Sequence, residues 1–274
     1  MKGFQLVAAT GLIGGVLALL SFAAAVSQTK AQVATAESQR RPVIVELFTS
    51  EGCSSCPPAD ALLHKLQAEQ SIKGAEVIAL EEHVDYWNHD GWTDPYSSSE
   101  WTERQLDYEA PLKISQSYTP EMVVDGEAAF VGSDERKAES EIEKASRDAK
   151  TKVTITPATP DTKQSQNFAV SVGTPQESTA GDAAEVWLAV AEDGLQSSVS
   201  RGENAGQVLL HTATLRSLQK LGVVDPNHKP TAFTGSANVK FEPHWNREKL
   251  HVTVFVQEKK NRKILGAATT KITR

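Results

Sequence analysis

Val43-Ile44-Val45-Glu46-Leu47-Phe48-Thr49-Ser50-Glu51-Gly52-Cys53-Ser54-Ser55-Cys56-Pro57-Pro58-Ala59-Asp60-Ala61-Leu62-Leu63-His64-Lys65-Leu66 is the stretch on which the reading of this chain turns. Residues 43–48 predict a buried strand and residues 59–66 a helix. Cys53 and Cys56, the only cysteines in the sequence, stand at the junction. A helix N-terminus offers free N–H groups and positive potential to a thiolate, so Cys-x-x-Cys at this place is the arrangement of a redox-active dithiol. The competing role is a structural staple, but a bridge closing four residues contributes only about 2 kcal/mol through loop entropy.

Working outward, the N-terminal segment differs in kind. Lys2 is followed by no charge until Lys30, and residues 12–20 form the centre of an apolar run. Ala23 and Ala25 fit a cleavage site, so residues 1–26 read as a signal peptide or, if uncleaved, an N-terminal anchor. Residues 27–41 read as a polar spacer. The remainder is then expected outside the cytoplasm, periplasmic or secreted, where a disulfide persists. A net charge of -7 over 274 residues argues against nucleic acid as the main partner.

From residue 43 to 150, strand and helix patterns alternate. Residues 76–80 predict a second strand, 97–108 a helix with serine caps, and 122–124 and 128–131 a strand pair turning at Asp125-Gly126. A closing helix is expected over 133–150, with Ser133 as its cap. Pro157 and Pro160 mark a composition shift. After Lys150, Val153 and Ile155, Phe168, Val170 and Val172, Val186, Leu188 and Val190, and Val252, Val254 and Val256 alternate with polar residues. That pattern predicts an antiparallel sandwich over 151–274, interrupted by a helix over 214–221.

Parallel strands joined by a crossover helix share one carboxyl edge, where chemical groups gather. Glu81, Glu82, His83 and Asp85 should therefore emerge near Cys53, and His83 with its carboxylates is positioned to take protons during thiol exchange. Glu46, inside an apolar strand, either accepts a proton from the inner thiol or, failing that, points outward or pairs with a lysine. All four tyrosines and Trp87, Trp92 and Trp101 fall between residues 86 and 118, either lining a groove for an apolar peptide or forming the packed core of a lid. Thr119-Pro120 directly precedes a strand, where a proline and a cis bond are both tolerated.

The order strand, Cys-x-x-Cys, helix, strand, helix, Thr-Pro, strand, Asp-Gly, strand, helix resembles the thioredoxin fold. More closely, residues 45–60, His83-Val84-Asp85-Tyr86-Trp87, Gly91-Trp92, Asp94-Pro95, residues 118–126, Phe130-Val131-Gly132-Ser133 and Arg201-Gly202-Glu203-Asn204-Ala205-Gly206 resemble DUF1223, a family of exported bacterial proteins. The resemblance implies an α/β thioredoxin-like domain over 42–150 followed by an all-β sandwich-like domain over 151–274. It further implies that Cys53 is the exposed nucleophile, Cys56 the resolving thiol, Pro120 a cis-proline facing the dithiol and Glu46 the buried acid. Three departures stand out. Glu46 is one residue further from Cys53 than the usual acid, Pro57-Pro58 replaces a basic residue, and Gly52 replaces a tryptophan.

The function expected is that of a thiol–disulfide oxidoreductase acting through Cys53 and Cys56 on protein thiols or disulfides of exported proteins, with no cofactor. The alternatives are a soft-metal (copper) binding or delivery protein using the dithiol with His83, His64 or His89, and a partner-docking protein whose disulfide is not catalytic. The segment around Arg201-Gly202-Glu203-Asn204 is expected to lean back toward the dithiol.

Overall fold

The computed structural model describes residues 40–89, 91–175, 182–225 and 232–272. The signal or anchor segment and the spacer up to residue 39 lie outside the described residues.

The quoted stretch folds as strand, turn and helix. Strand β1 (Arg41–Thr49) is buried from Val43 onward. Helix α1 (Pro57–Glu69) starts at Cys56 with two prolines in its first positions, where a missing N–H leaves no hydrogen bond unmade. Gln70 ends the helix in the left-handed region, and its amide bridges both backbone groups of Val77. That contact helps lead the chain into β2 (Ala75–His83), which runs parallel to β1.

Two helices follow. In α2 (Ser99–Leu106), Ser98 accepts from Glu100 N; α3 (Glu109–Leu112) is a single turn. Strands β3 (Glu121–Val124) and β4 (Ala128–Val131) form a hairpin with Asp125 and Gly126 both at positive φ, as a type I′ turn requires. The Thr119–Pro120 bond is cis. Helix α4 (Glu135–Ala145) is shorter than the sequence predicts and is capped by Asp134, which accepts from Lys137 N, rather than by Ser133.

Apart from turns and a short 3-10 helix (Arg247–Lys249), the rest of the described chain is strand: β5 (Val153–Asp161), β6 (Ser165–Val172), β7 (Ala184–Glu192), β8 (Leu195–Ser198), β9 (Val208–His211), β10 (Thr214–Val224), β11 (Phe233–Lys240), β12 (Leu250–Glu258) and β13 (Ile264–Lys271). The period-two segments named from the sequence all lie in strands. The helix expected over 214–221 does not form. Leu215, Leu218 and Leu221 recur at helical spacing because β10 carries irregularities after Leu215 and Lys220 that reset its alternation, and pairing with β7 decides the outcome.

The protein is mostly β, with few helices and one large mixed sheet in the order β13-β12-β7-β10-β2-β1-β3-β4. That order corrects the expected division into separate 42–150 and 151–274 domains. Strands of both halves share the sheet, and residues Arg41–Arg274 form one compact unit. Pro157 and Pro160 lie inside β5, an edge strand of the second sheet β11-β6-β5, where proline is tolerated. A sandwich-like core does exist: Phe168, Val170 and Val172 from the second sheet pack with Val186, Leu188, Val252 and Val254 from the large one.

Strands β2 and β10 meet through one ladder pair, Thr214 with Glu81. Buried polar side chains reinforce that short seam on both faces. In β1, Glu46 and Phe48 point one way and Leu47 and Thr49 the other, and the parallel register places Glu82 with the first set and Glu81 and His83 with the second. On the Glu46 face, Arg104 Nε lies 2.6 Å from Glu46 Oε1 and Tyr108 donates to Glu46 Oε2. Gln257 of β12 joins them, donating to the Tyr108 oxygen at 2.8 Å. On the Thr49 face stands the cluster described next.

Candidate functional site

Cys53 and Cys56 are joined in a disulfide at the β1–α1 junction. Ser54 and Ser55 are exposed, but Cys53 is only 1% exposed, which corrects the expectation of an exposed nucleophile. The covering comes from residues 199–207, the tip of the β8–β9 ribbon. Ser54 N donates to Glu203 Oε2 at 3.0 Å, and Asn204 Nδ2 donates to the carbonyls of Glu51 (2.9 Å) and Cys53 (3.0 Å). The expected approach of this segment to the dithiol is thus present, carried by Glu203 and Asn204. Gly52 is explained locally: an added Cβ would lie 2.9 Å from the Cβ of Trp87, which occupies that space.

The carboxyl ends of β1 and β2 gather charged groups, though not all those expected. Glu81 and His83 face α1. Glu82 turns to the Arg104 face, where burial and then Glu46 push its carboxyl well above the usual range. Asp85 is engaged with Thr102. His83 is fully buried, with Nδ1 2.7 Å from Asp94 Oδ2. His211, from the end of β9, stacks edge-on against it at 4.6 Å between ring centres, and Tyr96 lies 5.5 Å from both.

Glu81 ties this cluster together. Its Oε1 lies 3.3 Å from His211 Nδ1, and its Oε2 accepts from Thr212 N and Thr214 Oγ1. His211 Nε2 lies 3.1 Å from Glu51 Oε1, while Trp92 donates to Glu51 Oε2. Burial works against charge here, but the partners prevail. His211 followed by His83 holds Glu81 down to about 2, Glu81 and Glu51 raise His211 to about 9, and Asp94 then Glu81 raise His83 well above its ordinary value.

Glu46 is not the acid beside the dithiol. Its face of the sheet is opposite to that of α1, and Arg104 and Tyr108 engage both its oxygens. The buried acid on the α1 side is Asp60, which accepts from Thr49 Oγ1 at 2.7 Å and whose backbone N bonds to the Cys56 carbonyl. Burial first and Glu81 second raise its pKa to about 7. The available signal was a carboxylate flanked by apolar residues one helical turn past Cys56. Pro120, buried at the start of β3, lies against Gly132, which also abuts Ala59 of α1. Within the aromatic segment Trp101 and Tyr108 are buried, while Tyr86, Trp87, Trp92, Tyr96 and Tyr118 are half-buried.

A cleft of about 410 Å³ opens between the start of α1 (Pro57, Asp60, His64) and β9 (Leu209, Leu210, His211). Val208 and Leu210 are exposed on its lip.

The buried carboxyls predict an acid-shifted stability profile. Burial raises Asp60 and Glu121 to about 7 and Asp125 to about 6. A raised carboxyl pKa means that the folded state holds protons the unfolded chain has lost, so stability falls as pH rises from about 4 to 7. The raised His211 acts in the same sense, its contribution being complete below about 6.5 and lost as pH passes 9. The depressed Glu81 contributes stability that is complete above about 4.5 and is lost only as pH falls toward 2. Urea midpoints measured from pH 3 to 9 should peak near pH 5 and decline by pH 8; a midpoint highest at pH 8 contradicts this reading.

Fold and site together define a mostly-β protein with one large mixed sheet and a disulfide at a strand-to-helix junction. The chain belongs to the DUF1223 family, described as protein of unknown function, which it matches over residues 44–257. Among solved structures, a crystal structure of a protein from Agrobacterium tumefaciens is similar at 25% identity and a TM-score of 0.66, over 86% of this chain and 96% of that one. HBP35 of Porphyromonas gingivalis is similar at 16% identity and a TM-score of 0.57, over 85% of this chain and 76% of that one. No curated protein sequence matches.

Proposed function

We propose that the protein is an exported thiol–disulfide oxidoreductase in which Cys53 exchanges with thiols or disulfides of other exported proteins and Cys56 resolves the mixed disulfide. The observation that carries this reading is the Cys53–Cys56 disulfide at the strand-to-helix junction, with Cys56 at the N-terminus of α1 and the protonatable Asp60 one turn on. The strand order β4-β3-β1-β2, with β1 parallel to β2 and antiparallel to β3, supports a thioredoxin-like unit built into the large sheet. The family resemblance assigns Pro120 a place facing the dithiol, and its position near Gly132, which also abuts Ala59 of α1, supports that reading. The apolar lip at Val208 and Leu210 suits an extended client segment beside Cys56.

In this mechanism a client thiolate attacks Cys53 Sγ, the Cys53–Cys56 bond breaks and Cys56 leaves as a thiolate. Asp60 supplies its proton. A second client thiolate then attacks the client sulfur of the mixed disulfide, releasing the oxidised client and the Cys53 thiolate; the reverse sequence reduces a client. The helix N-terminus stabilises the thiolates, so a lowered pKa is expected at Cys53. Because Cys53 is covered, exchange requires residues 199–207 to release Ser54 and the Cys53 carbonyl. In the exported fraction, Cys56→Ser should accumulate mixed disulfides at Cys53 and Cys53→Ser few or none. Reduced wild-type protein should alkylate first at Cys53. Faster alkylation at Cys56, or no adducts with either variant, contradicts the proposal.

A further inference from the structure

We infer that Glu81, His83 and His211 form a buried site for one divalent first-row transition ion, with zinc(II) the best match. One donor atom from each of the three lies within 4.8 Å of those of the other two, and all three side chains are buried. The orientation of the imidazoles is the stronger observation. Each has one nitrogen committed to an outer carboxylate: His83 Nδ1 to Asp94 at 2.7 Å, and His211 Nε2 to Glu51 at 3.1 Å. The remaining nitrogen of each turns toward Glu81.

His83 Nε2 stands 3.6 Å from Glu81 Oε2 and has no hydrogen-bond partner, although the residue is fully buried. Buried ring nitrogens are ordinarily satisfied, so an orphan directed at a carboxylate and a second imidazole points to an absent electrophile. An outer carboxylate on the second nitrogen is the arrangement that orients metal-ligating histidines. Donors around tetrahedral zinc at about 2.0–2.1 Å are separated by roughly 3.4 Å, so small side-chain movements close the site. Two imidazoles and a carboxylate suit zinc(II) better than soft Cu(I), and no thiolate takes part. Once both imidazoles give up their ligating-side protons on binding, the three carboxylates (Glu51, Glu81, Asp94) nearly balance a dication. The cleft beside α1 reaches His211 and provides a route in. The site uses neither cysteine and does not depend on the redox proposal.

The test is equilibrium titration of the chelator-stripped, oxidised protein with zinc sulfate against a chromophoric chelator, and separately with cobalt(II). One equivalent of zinc should bind, with a rise in the melting temperature, and the cobalt spectrum should lack thiolate charge transfer. His211→Ala should weaken binding at least about 100-fold and Asp94→Asn about 10- to 100-fold. His64→Ala and the Cys53→Ser/Cys56→Ser double variant should bind as wild type. If His211→Ala does not fold, as judged by circular dichroism, Asp94→Asn and His211→Gln carry the comparison. Absence of stoichiometric binding, unchanged affinity in the folded His211 and Asp94 variants, or loss of binding in the cysteine variant overturns the inference.

Discussion

Glu81→Ala should lower the free energy of unfolding by about 3–5 kcal/mol, the scale seen when one partner of a buried ionic network is removed. The expectation follows from how many groups depend on this carboxylate. His211 Nδ1, Thr212 N and Thr214 Oγ1 all turn to it, and all are buried. An alanine leaves each without that acceptor at the point where β2 and β10 are joined by a single ladder pair. For a chain of this size the melting temperature should fall by about 10 °C. Glu81→Gln keeps an acceptor oxygen for the threonine pair and should cost less. A loss below about 1 kcal/mol for the alanine variant in urea unfolding would show that the seam does not rest on this residue.

Arg104→Met should cost a similar amount, about 3–5 kcal/mol, for a different reason. Arg104 is the cation paired with the buried carboxyls on the other face of the sheet, with Glu46 at 2.6 Å and Glu82 at 3.4 Å. Burial and then Glu46 push the Glu82 carboxyl well above the usual range, so the loss falls chiefly on Glu46, left with the Tyr108 hydroxyl. The link from Arg104 Nη1 to Gln257 of β12 is lost as well. Replacing the charge pair together, Arg104→Met with Glu46→Gln, should recover most of the stability, because the penalty comes from an unpaired buried charge rather than from the missing pair. A double variant no more stable than Arg104→Met contradicts this account.

Much of the local structure was legible in the sequence. The apolar run before Cys53, the prolines after Cys56, the serine cap of α2 and the Asp125-Gly126 turn each carry their own physical cause, and each appears where that cause predicts. What the sequence hid was long-range. Residues 214–221 read as a helix because irregularities in β10 disturb its alternation. Pro157 and Pro160 read as a boundary because an edge strand admits prolines that a central strand would refuse.

The site was half visible for the same reason. His83 and Cys53 were drawn together by the carboxyl-edge argument, and Glu203 and Asn204 by the resemblance. His211 and Thr214 were not among the candidates, since nothing local announces that β10 will lie beside β2. The side to which Glu46 points stays open in the sequence, because strand alternation alone does not reveal on which face α1 packs; in the fold it pairs with Arg104. Asp60 stands one turn beyond Cys56 among apolar neighbours, a place that marks it as a buried acid in the sequence itself.

The central claim is that the Cys53–Cys56 pair cycles between disulfide and dithiol. Its most direct test is the equilibrium of the purified protein in glutathione redox buffers, read by gel shift after thiol alkylation. The account predicts a reduction potential within the span of known thiol–disulfide catalysts, between about -270 and -120 mV. A value below about -300 mV, the range of structural disulfides, would contradict it and leave the pair as a staple.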